Sequence, residues 1–188
     1  MKARSYSHVV GFDDAPFARG HRGDVPVVGA VFAGLRLEGV LSGKVRRDGA
    51  NAARNLAGLV SGSKYAPQLQ LVLLQGIALA GFNVVDLHDL QQRLDVPVMV
   101  VARKRPRLHK VRRALSLIPG GERKWRIIEE LGPPEPVAGV YVQRVGIGRR
   151  DAERVIRRLA VHGNIPEPLR AAHLIAGGLT EGQSRGRT

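Results

Sequence analysis

Two adjacent carboxylates, Asp13 and Asp14, end an apolar run that starts near Tyr6 and is typical of a first β-strand. Ligand sites of open α/β sheets collect at the carboxyl ends of the strands. Paired acidic side chains in a chain of formal net charge +14 indicate a cation site, because hard cations such as Mg²⁺ take oxygen ligands and often bridge to phosphate. Successive strand residues point to opposite faces, so only one of the two can face a given pocket while the strand continues. A plain turn is the alternative, since Asp-Asp-Ala-Pro suits one.

Two more positions at predicted strand ends bear on such a site. Asp48 follows the third strand and could face the same edge as Asp13, or could cap the helix that starts at Ala50. Gln75, followed by Gly76, ends a buried apolar strand where a metal-dependent nuclease is expected to carry a carboxylate. A neutral amide is a far weaker metal ligand, so Gln75 counts against full metal-dependent catalysis.

Three consecutive basic residues, Arg103, Lys104 and Arg105, follow the predicted strand at residues 97–102 directly. If the sheet is mixed as predicted, they lie at the same edge as Asp13 and could hold phosphate groups. The alternative is a solvated helix start, although basic residues at a helix N-terminus oppose the helix dipole.

Glu167, Arg170 and His173 follow two prolines at three-residue spacing and would share one helix face. The simpler interpretation is an ion pair between Glu167 and Arg170 on a capped helix. The functional alternative brings Glu167 or His173 to the acidic site.

The composition favours a nucleic-acid partner, because 30 Lys and Arg stand against 16 Asp and Glu in 188 residues. Such a balance raises the local concentration of polyanions, DNA or RNA first among them. The chain contains no cysteine, which excludes disulfides, thiolate zinc sites and cysteine nucleophiles. It shows neither an apolar signal core nor a run of roughly 20 apolar residues. We therefore expect a cytoplasmic protein with no membrane partner.

Apolar periodicity predicts the elements that position these side chains. Apolar runs at residues 25–32 and 35–45, joined by Ala33-Gly34, continue the first strand into a meander of three antiparallel strands. Next come a helix at 50–59, a strand at 69–74, a helix at 83–94 with Asn83 as N-cap, and a strand at 97–102. The order strand, helix, strand implies a right-handed parallel crossover.

The rest of the chain predicts a basic helix at 103–118, a helix at 122–131, a strand at 137–145 and helices at 151–161 and 168–179. We expect a single α/β domain over residues 1–180. The polar tail at residues 181–188 is predicted to be disordered.

Five segments, taken in order, resemble one family over nearly the whole chain. They are residues 11–17 (GFDDAPF), 48–49 (DG), 81–86 (GFNVVD), 97–106 (PVMVVARKRP) and 165–173 (IPEPLRAAH). They are similar to the endonuclease dU family, a branch of the endonuclease V superfamily. The resemblance implies a ribonuclease H-like fold, with three antiparallel then parallel strands and flanking helices. It also implies Mg²⁺- or Mn²⁺-assisted hydrolysis of a phosphodiester bond beside a deaminated base, a DNA-repair activity.

The resemblance assigns roles to several residues. Asp13 matches a catalytic, metal-binding aspartate at the end of the first strand, and Asp48 is the nearest match to a second. The third acid, in an Asp-Gly pair, corresponds to Gln75-Gly76 and is missing. Arg103 or Lys104 matches a basic residue after the fifth strand.

The departures from the family pattern leave a second function open. Asp14 or Asp86 could compensate for the missing acid as metal ligands, with Asn83, Glu167, Arg170 and His173 as supporting positions. The segment that reads the damaged base in endonuclease V has no counterpart here. The alternative function is a catalytically inactive nucleic-acid-binding protein of the same fold.

Overall fold

The computed structural model describes residues 5–184. The strands are β1 (His8–Asp14), β2 (Asp24–Ala33), β3 (Arg36–Arg46), β4 (Leu71–Gln75), β5 (Ala78–Leu79), β6 (Asn83–Val84), β7 (Val98–Ala102), β8 (Glu135–Val137) and β9 (Val140–Val145). The helices are α1 (Ala52–Ser61), α2 (Leu87–Leu94), α3 (Leu108–Leu115), α4 (Gly121–Glu130), α5 (Arg149–Leu159) and α6 (Glu167–Glu181), with a 3₁₀ turn at Ala66–Gln68. Within the described residues, no helix is long and apolar enough to span a bilayer.

The central sheet confirms the predicted mixed topology. Its strand order is β3-β2-β1-β4-β7-β9-β8. β1, β2 and β3 form the antiparallel meander, and β4 and β7 run parallel to β1. β9 and β8 then close the other edge in antiparallel pairing. The carboxyl ends of β1, β4 and β7 therefore meet at one edge of the sheet.

The predicted single strand at residues 137–145 is wrong, because the chain turns back there. Val137 and Val140 pair across a two-residue turn in which Ala138 and Gly139 have φ of 49° and 83°. Positive φ at both central positions is typical of the type I′ turns that match the twist of a hairpin.

Two predicted helix starts are also wrong. Asn83 pairs with Leu79 in the β5-β6 hairpin, and α2 begins later, where Asp86 accepts a hydrogen bond from Asp89 N at 3.0 Å. The predicted basic helix begins at Leu108, after Pro106, because a proline disfavours helical backbone in the residue before it.

The core consists of two layers, one on each face of the sheet. On one face, Phe12 and Leu74 pack with Leu56 of α1 and Leu90 of α2. On the other face, strand residues such as Leu73 pack against α5 and α6. α6 extends through Glu181, and residues 185–188 of the predicted tail lie outside the described residues.

α6 approaches β1 closely at Gly11. A Cβ atom added there would lie 2.6 Å from Pro168 O and 2.7 Å from Leu169 N, which are backbone atoms that cannot turn away. The missing side chain therefore lets the first turn of α6 lie against β1. This contact places the rest of α6, including His173, over the carboxyl end of β1.

Gly11→Ala should weaken this docking and lower the free energy of unfolding by about 3 kcal/mol, near the upper end for overpacked sites. Gly58→Ala is the matched control, because Gly58 is exposed inside α1 with no atom within 4 Å of an added Cβ. The control should gain about 0.5–1 kcal/mol from its better helix propensity. Urea unfolding of both variants measures the difference. Equal stability of Gly11→Ala and the wild-type protein would contradict the close approach.

Candidate active site

Strand register places Asp13 beside Gln75. Phe12 pairs with Leu74 in the parallel β1-β4 ladder, so the next residue of each strand is also adjacent, about 5 Å apart at Cα. Gln75 in turn pairs with Val101 of β7. Arg103 follows two residues later, so the basic segment lies at this edge of the sheet as predicted.

The two aspartates face opposite sides of the sheet, as strand alternation requires. Asp13 shares a face with Gly11 and lies under α6, where its Oδ2 is 2.8 Å from His173 Nδ1. Asp14 shares a face with Phe12, and its Oδ2 accepts a hydrogen bond from Ala80 N at 2.8 Å. A pocket on one face of the sheet therefore receives only one of the pair.

Asp13 is 5% exposed, and this burial dominates its electrostatics. Burial raises its pKa from 3.8 to about 7, with a further rise from the Asp14 charge and an opposing effect of His173. Burial also raises the pKa of Asp14, against the lowering effect of its bond from Ala80 N. The Asp13 carboxyl therefore keeps its proton up to about pH 7.

Gln75 supplies an unpaired oxygen beside this pair. Its Oε1 is buried and lacks a hydrogen-bond partner among the residues that the structure describes. Leu71 and Leu73 of the same strand face α5 and α6, so alternation puts Gln75 on the same face as Asp13. A buried amide oxygen without a partner costs about 1–3 kcal/mol. The amide oxygen is therefore a candidate acceptor or ligand on the face that carries the Asp13–His173 pair.

Asp48 does not cap α1, so that predicted role is wrong. Its Oδ1 accepts from Phe82 N at 2.8 Å, and its backbone N donates to Ala80 O. The first N–H of α1, on Ala52, is instead satisfied by Asn83 Oδ1 at 3.1 Å. Asn83 is fully buried and acts as a structural bridge between the end of β3 and α1.

The last segment forms the ion pair that the simpler interpretation predicts. Arg170 donates to both carboxylate oxygens of Glu167, at 2.8–3.0 Å, and the pairing raises the arginine pKa. Of these three residues, His173 is the one that contacts Asp13. The side chains of Arg103, Lys104 and Arg105 are exposed, without an ion-pair partner in the described part of the chain.

A cavity of about 560 Å³ opens beside Asp48, on the face of the sheet that Asp14 occupies. Its walls include Asp86, Asp89, Lys124 and Ile127. Asp86 is held at the start of α2 as its N-cap, so it does not join Asp13. The cavity volume is within the range of small-molecule pockets.

Sequence reasoning did not identify Lys124. This residue is 5% exposed, donates a hydrogen bond to the Asp48 carbonyl, and has a pKa lowered by burial. Its signal in the sequence is the four-residue spacing to Ile128, which marks the inward face of α4.

Within residues 5–184, no group of three or more His, Cys, Asp or Glu side chains could hold a metal ion. The available donors at the edge are one Asp13 carboxylate, the His173 imidazole and the Gln75 amide oxygen. These donors suit a divalent cation that completes its shell with water or phosphate oxygens. Asp14 and Asp48, predicted as further ligands, each accept a hydrogen bond from a backbone N–H group.

The sheet and its flanking helices define the ribonuclease H-like class of fold. An endonuclease V from Ciona intestinalis, crystallised with a 24mer DNA containing an inosine followed by a ribo-adenosine, has the same fold, with a TM-score of 0.57. The two share 13% identity, and the match covers 89% of this chain and 83% of that one.

The chain belongs to the endonuclease dU family, whose model matches residues 5–180. A UPF0215 protein of Deinococcus radiodurans is 59% identical over 182 residues, which cover 96% of this chain and 93% of that protein. The structure of an Archaeoglobus fulgidus protein of unknown function matches with a TM-score of 0.85 at 31% identity, over 92% of this chain and 97% of that one. The predicted family and fold are confirmed.

Asp13→Asn should remove a pH dependence of stability. The folded protein keeps Asp13 protonated up to about pH 7, whereas the unfolded chain releases that proton near the usual value of 3.8. Between these values the folded state binds more protons, so its free energy of unfolding falls as the pH rises. At about 1.4 kcal/mol per pKa unit, the variant should gain up to about 4 kcal/mol over wild type between pH 4 and pH 8.

Urea unfolding in EDTA at both pH values measures this gain. Asp95→Asn is the control, because Asp95 is exposed and its left-handed backbone, with φ of 53°, accepts asparagine. If both variants keep the wild-type dependence, the buried proton is not on Asp13.

Proposed function

We propose that this protein is a divalent-cation-dependent endonuclease that hydrolyses phosphodiester bonds in DNA or RNA. The observation that carries the proposal is the buried Asp13–His173 pair, 2.8 Å apart, with the unpaired Gln75 oxygen on the same face. The pair lies at the sheet edge to which the exposed segment Arg103–Lys104–Arg105 also belongs. Family and fold support this choice of reaction.

Asp13, His173 and Gln75 would hold the cation, Mg²⁺ or Mn²⁺. A bound cation supplies Lewis acidity toward a phosphoryl oxygen and lowers the pKa of a bound water. Carboxylate and amide oxygens suit either ion, whereas the imidazole suits Mn²⁺ better than Mg²⁺. Asp13 must give up its proton to act as a ligand, so we expect binding to strengthen as pH rises through about 7.

The basic segment acts on the substrate. Arg103, Lys104 and Arg105 offer several N–H donors to phosphate oxygens, and arginine can do so in a bidentate manner. Charge-assisted contacts of this kind position a strand without reading its sequence. They would hold the backbone while Asp13 faces one phosphate.

Cleavage beside a deaminated base requires space for that base. The cavity next to Asp48 offers apolar wall residues, Val84 and Ile127, and polar groups on Asp86 and Lys124. Enzymes that act on an extruded base enclose it between apolar side chains and read its edge by hydrogen bonds. The cavity lies on the opposite face of the sheet from Asp13, so a base would reach it only if the strand passed around the sheet edge, and the proposed preference for a deaminated base rests on the family.

The second candidate is a catalytically inactive nucleic-acid-binding protein of the same fold. Gln75 favours it, because one carboxylate gives a cation less attraction than two or three. This candidate predicts salt-sensitive binding of nucleic acid that is unchanged by Asp13→Ala.

The purified protein should nick uracil- or hypoxanthine-containing DNA or RNA in the presence of Mg²⁺ or Mn²⁺. Asp13→Ala should abolish nicking, because it removes the single anionic donor, while Asp95→Asn should leave it intact. Gel analysis of labelled oligonucleotides measures both, with EDTA as the blank. Binding without nicking above the Asp13→Ala background on every substrate would establish the inactive candidate instead.

Gln75→Glu should tighten cation binding at least tenfold, because it adds a second anionic oxygen of almost identical shape beside Asp13. In EDTA the variant should be less stable than wild type, because two buried carboxylates repel, and Mg²⁺ should raise its melting temperature more than that of wild type. Gln92→Glu on the exposed face of α2 is the control. Equal Mg²⁺-induced shifts in all three proteins would show that Gln75 does not face a cation.

A further inference from the structure

A second cavity, of about 440 Å³, shares Asp48 with the first as a lining residue. It is formed by the β1-β2 loop and the end of β3, and we name it the arginine cavity. Its lining residues are Arg19, Gly20, His21, Arg22, Gly23, Arg46, Arg47 and Asp48. The lining therefore contains four arginines and one carboxylate, which makes the cavity strongly electropositive.

Arg47 fixes the shape of the arginine cavity. Its Nη1 donates to the carbonyl of Arg19 at 2.6 Å and also to the carbonyl of His21. Its backbone N donates to Gly23 O at 2.9 Å, and its guanidinium lies over the Phe17 ring, 5.5 Å from the centroid. The loop is thus held in place before any ligand arrives, which lowers the entropic cost of binding.

Arg47 also retains a donor that the protein does not satisfy. Its Nε is buried without a hydrogen-bond partner among the residues that the structure describes. Asp48 Oδ2 lies 3.3 Å from this nitrogen, but the contact is not aligned as a hydrogen bond. The Asp48 charge compensates this donor in part, and because the nitrogen is buried, an anion in the cavity would complete its hydrogen bonding only after a small shift of the side chain.

The other three arginines are exposed and available. Arg46 has one loose contact, 3.9 Å from Asp24. In the described part of the chain, Arg19 and Arg22 take part in no ion pair. The arginines of α5 differ, because Arg154 pairs with Asp151, and Arg157 with Glu153.

The arginine cavity lies on the same edge of the sheet as Asp13. Asp14 of β1 pairs with Val27 of β2, and Asp24 of β2 pairs with Arg46 of β3. Because Asp24 is three residues from Val27, Arg46 lies two strands away from Asp14 and three residues further along the strand direction. With strands about 4.8 Å apart and about 3.3 Å per residue, the Cα separation is about 14 Å. This distance corresponds to about four nucleotide steps of a stacked strand.

We propose that the arginine cavity is a phosphate-binding site for the backbone of a nucleic-acid strand, a few nucleotides from the bond at Asp13. The inference rests on the proposed nucleic-acid substrate and adds a contact on the β3 side of Asp13. Arg103–Lys104–Arg105 lies on its β7 side, two strands from β1 in the opposite direction. A strand held at both places would cross the edge with Asp13 between the two contacts. Free phosphate or a nucleotide has the same chemistry and is the other source to be distinguished.

The test compares two double variants with the same change in charge. Arg22→Ala with Arg46→Ala removes two exposed arginines of the cavity and leaves Arg47 in place. Arg154→Ala with Arg157→Ala is the matched control. These two arginines lie on α5, which follows β9 in the chain. The last residue of β9, Val145, pairs with Val98, at the end of β7 opposite to the basic segment. Affinity for a labelled oligonucleotide is measured by fluorescence anisotropy in EDTA, over a range of salt, so no cleavage is needed.

The cavity variant should bind more weakly, and its slope of log affinity against log salt should be smaller by about 1.4 for a single strand or about 1.8 for a duplex. The control should change neither quantity appreciably. An unchanged slope for the cavity variant, or equal losses in both variants, would overturn the proposal. If the cavity variant shows the reduced slope but the wild-type protein cleaves no substrate, the phosphate-binding site is supported and only the proposed nuclease activity is refuted.

Inorganic phosphate provides the second arm. NMR signals of the His21 ring should move on titration with phosphate in the wild-type protein and not in the cavity variant, with much weaker affinity than for the oligonucleotide. Phosphate binding in the cavity combined with unchanged oligonucleotide affinity in the variant would assign the site to a free phosphate compound and overturn the strand contact.

Discussion

The contact between Asp13 and His173 is the constraint on which the site depends. A carboxylate that is 5% exposed must be neutral or hydrogen-bonded, and here its partner comes from a helix 160 residues later in the chain. That partner reaches Asp13 because Gly11, two residues earlier on the same face, admits the backbone of α6. One glycine therefore determines both the docking of the last helix and the chemistry at the end of the first strand.

The sheet was predictable because its signals are local. The apolar runs of β1, β4 and β7 and the meander of β2 and β3 follow from period and turn residues alone. The alternation rule also anticipated that Asp13 and Asp14 would diverge. The β8-β9 hairpin was missed because its turn, Ala138-Gly139, puts a non-glycine residue at positive φ, which the sequence pattern does not favour.

The roles of the polar residues were harder to predict because their partners are distant in sequence. Asn83 and Asp48 are both residue types that commonly cap helices. Asn83, however, accepts a hydrogen bond from Ala52 N, 31 residues away, and Asp48 accepts one from Phe82 N, 34 residues away. Each makes a capping-type bond to a backbone N–H of another segment. Local propensity correctly predicts that these side chains accept hydrogen bonds from backbone N–H groups. It does not predict which segment of the chain donates them.

Gln75 bears on both candidate functions. A protein that only binds nucleic acid through its basic surface gains nothing from a buried amide oxygen without a partner, which costs about 1–3 kcal/mol. An apolar side chain of similar size would avoid that cost. A carboxylate there would attract a cation more strongly, but it would also repel Asp13 whenever the site is empty. Glutamine keeps an oxygen on the face of the Asp13–His173 pair without that repulsion, which suits the proposed cation site, but it gives up the charge that would hold the cation tightly, which is why the same residue also favours the inactive candidate.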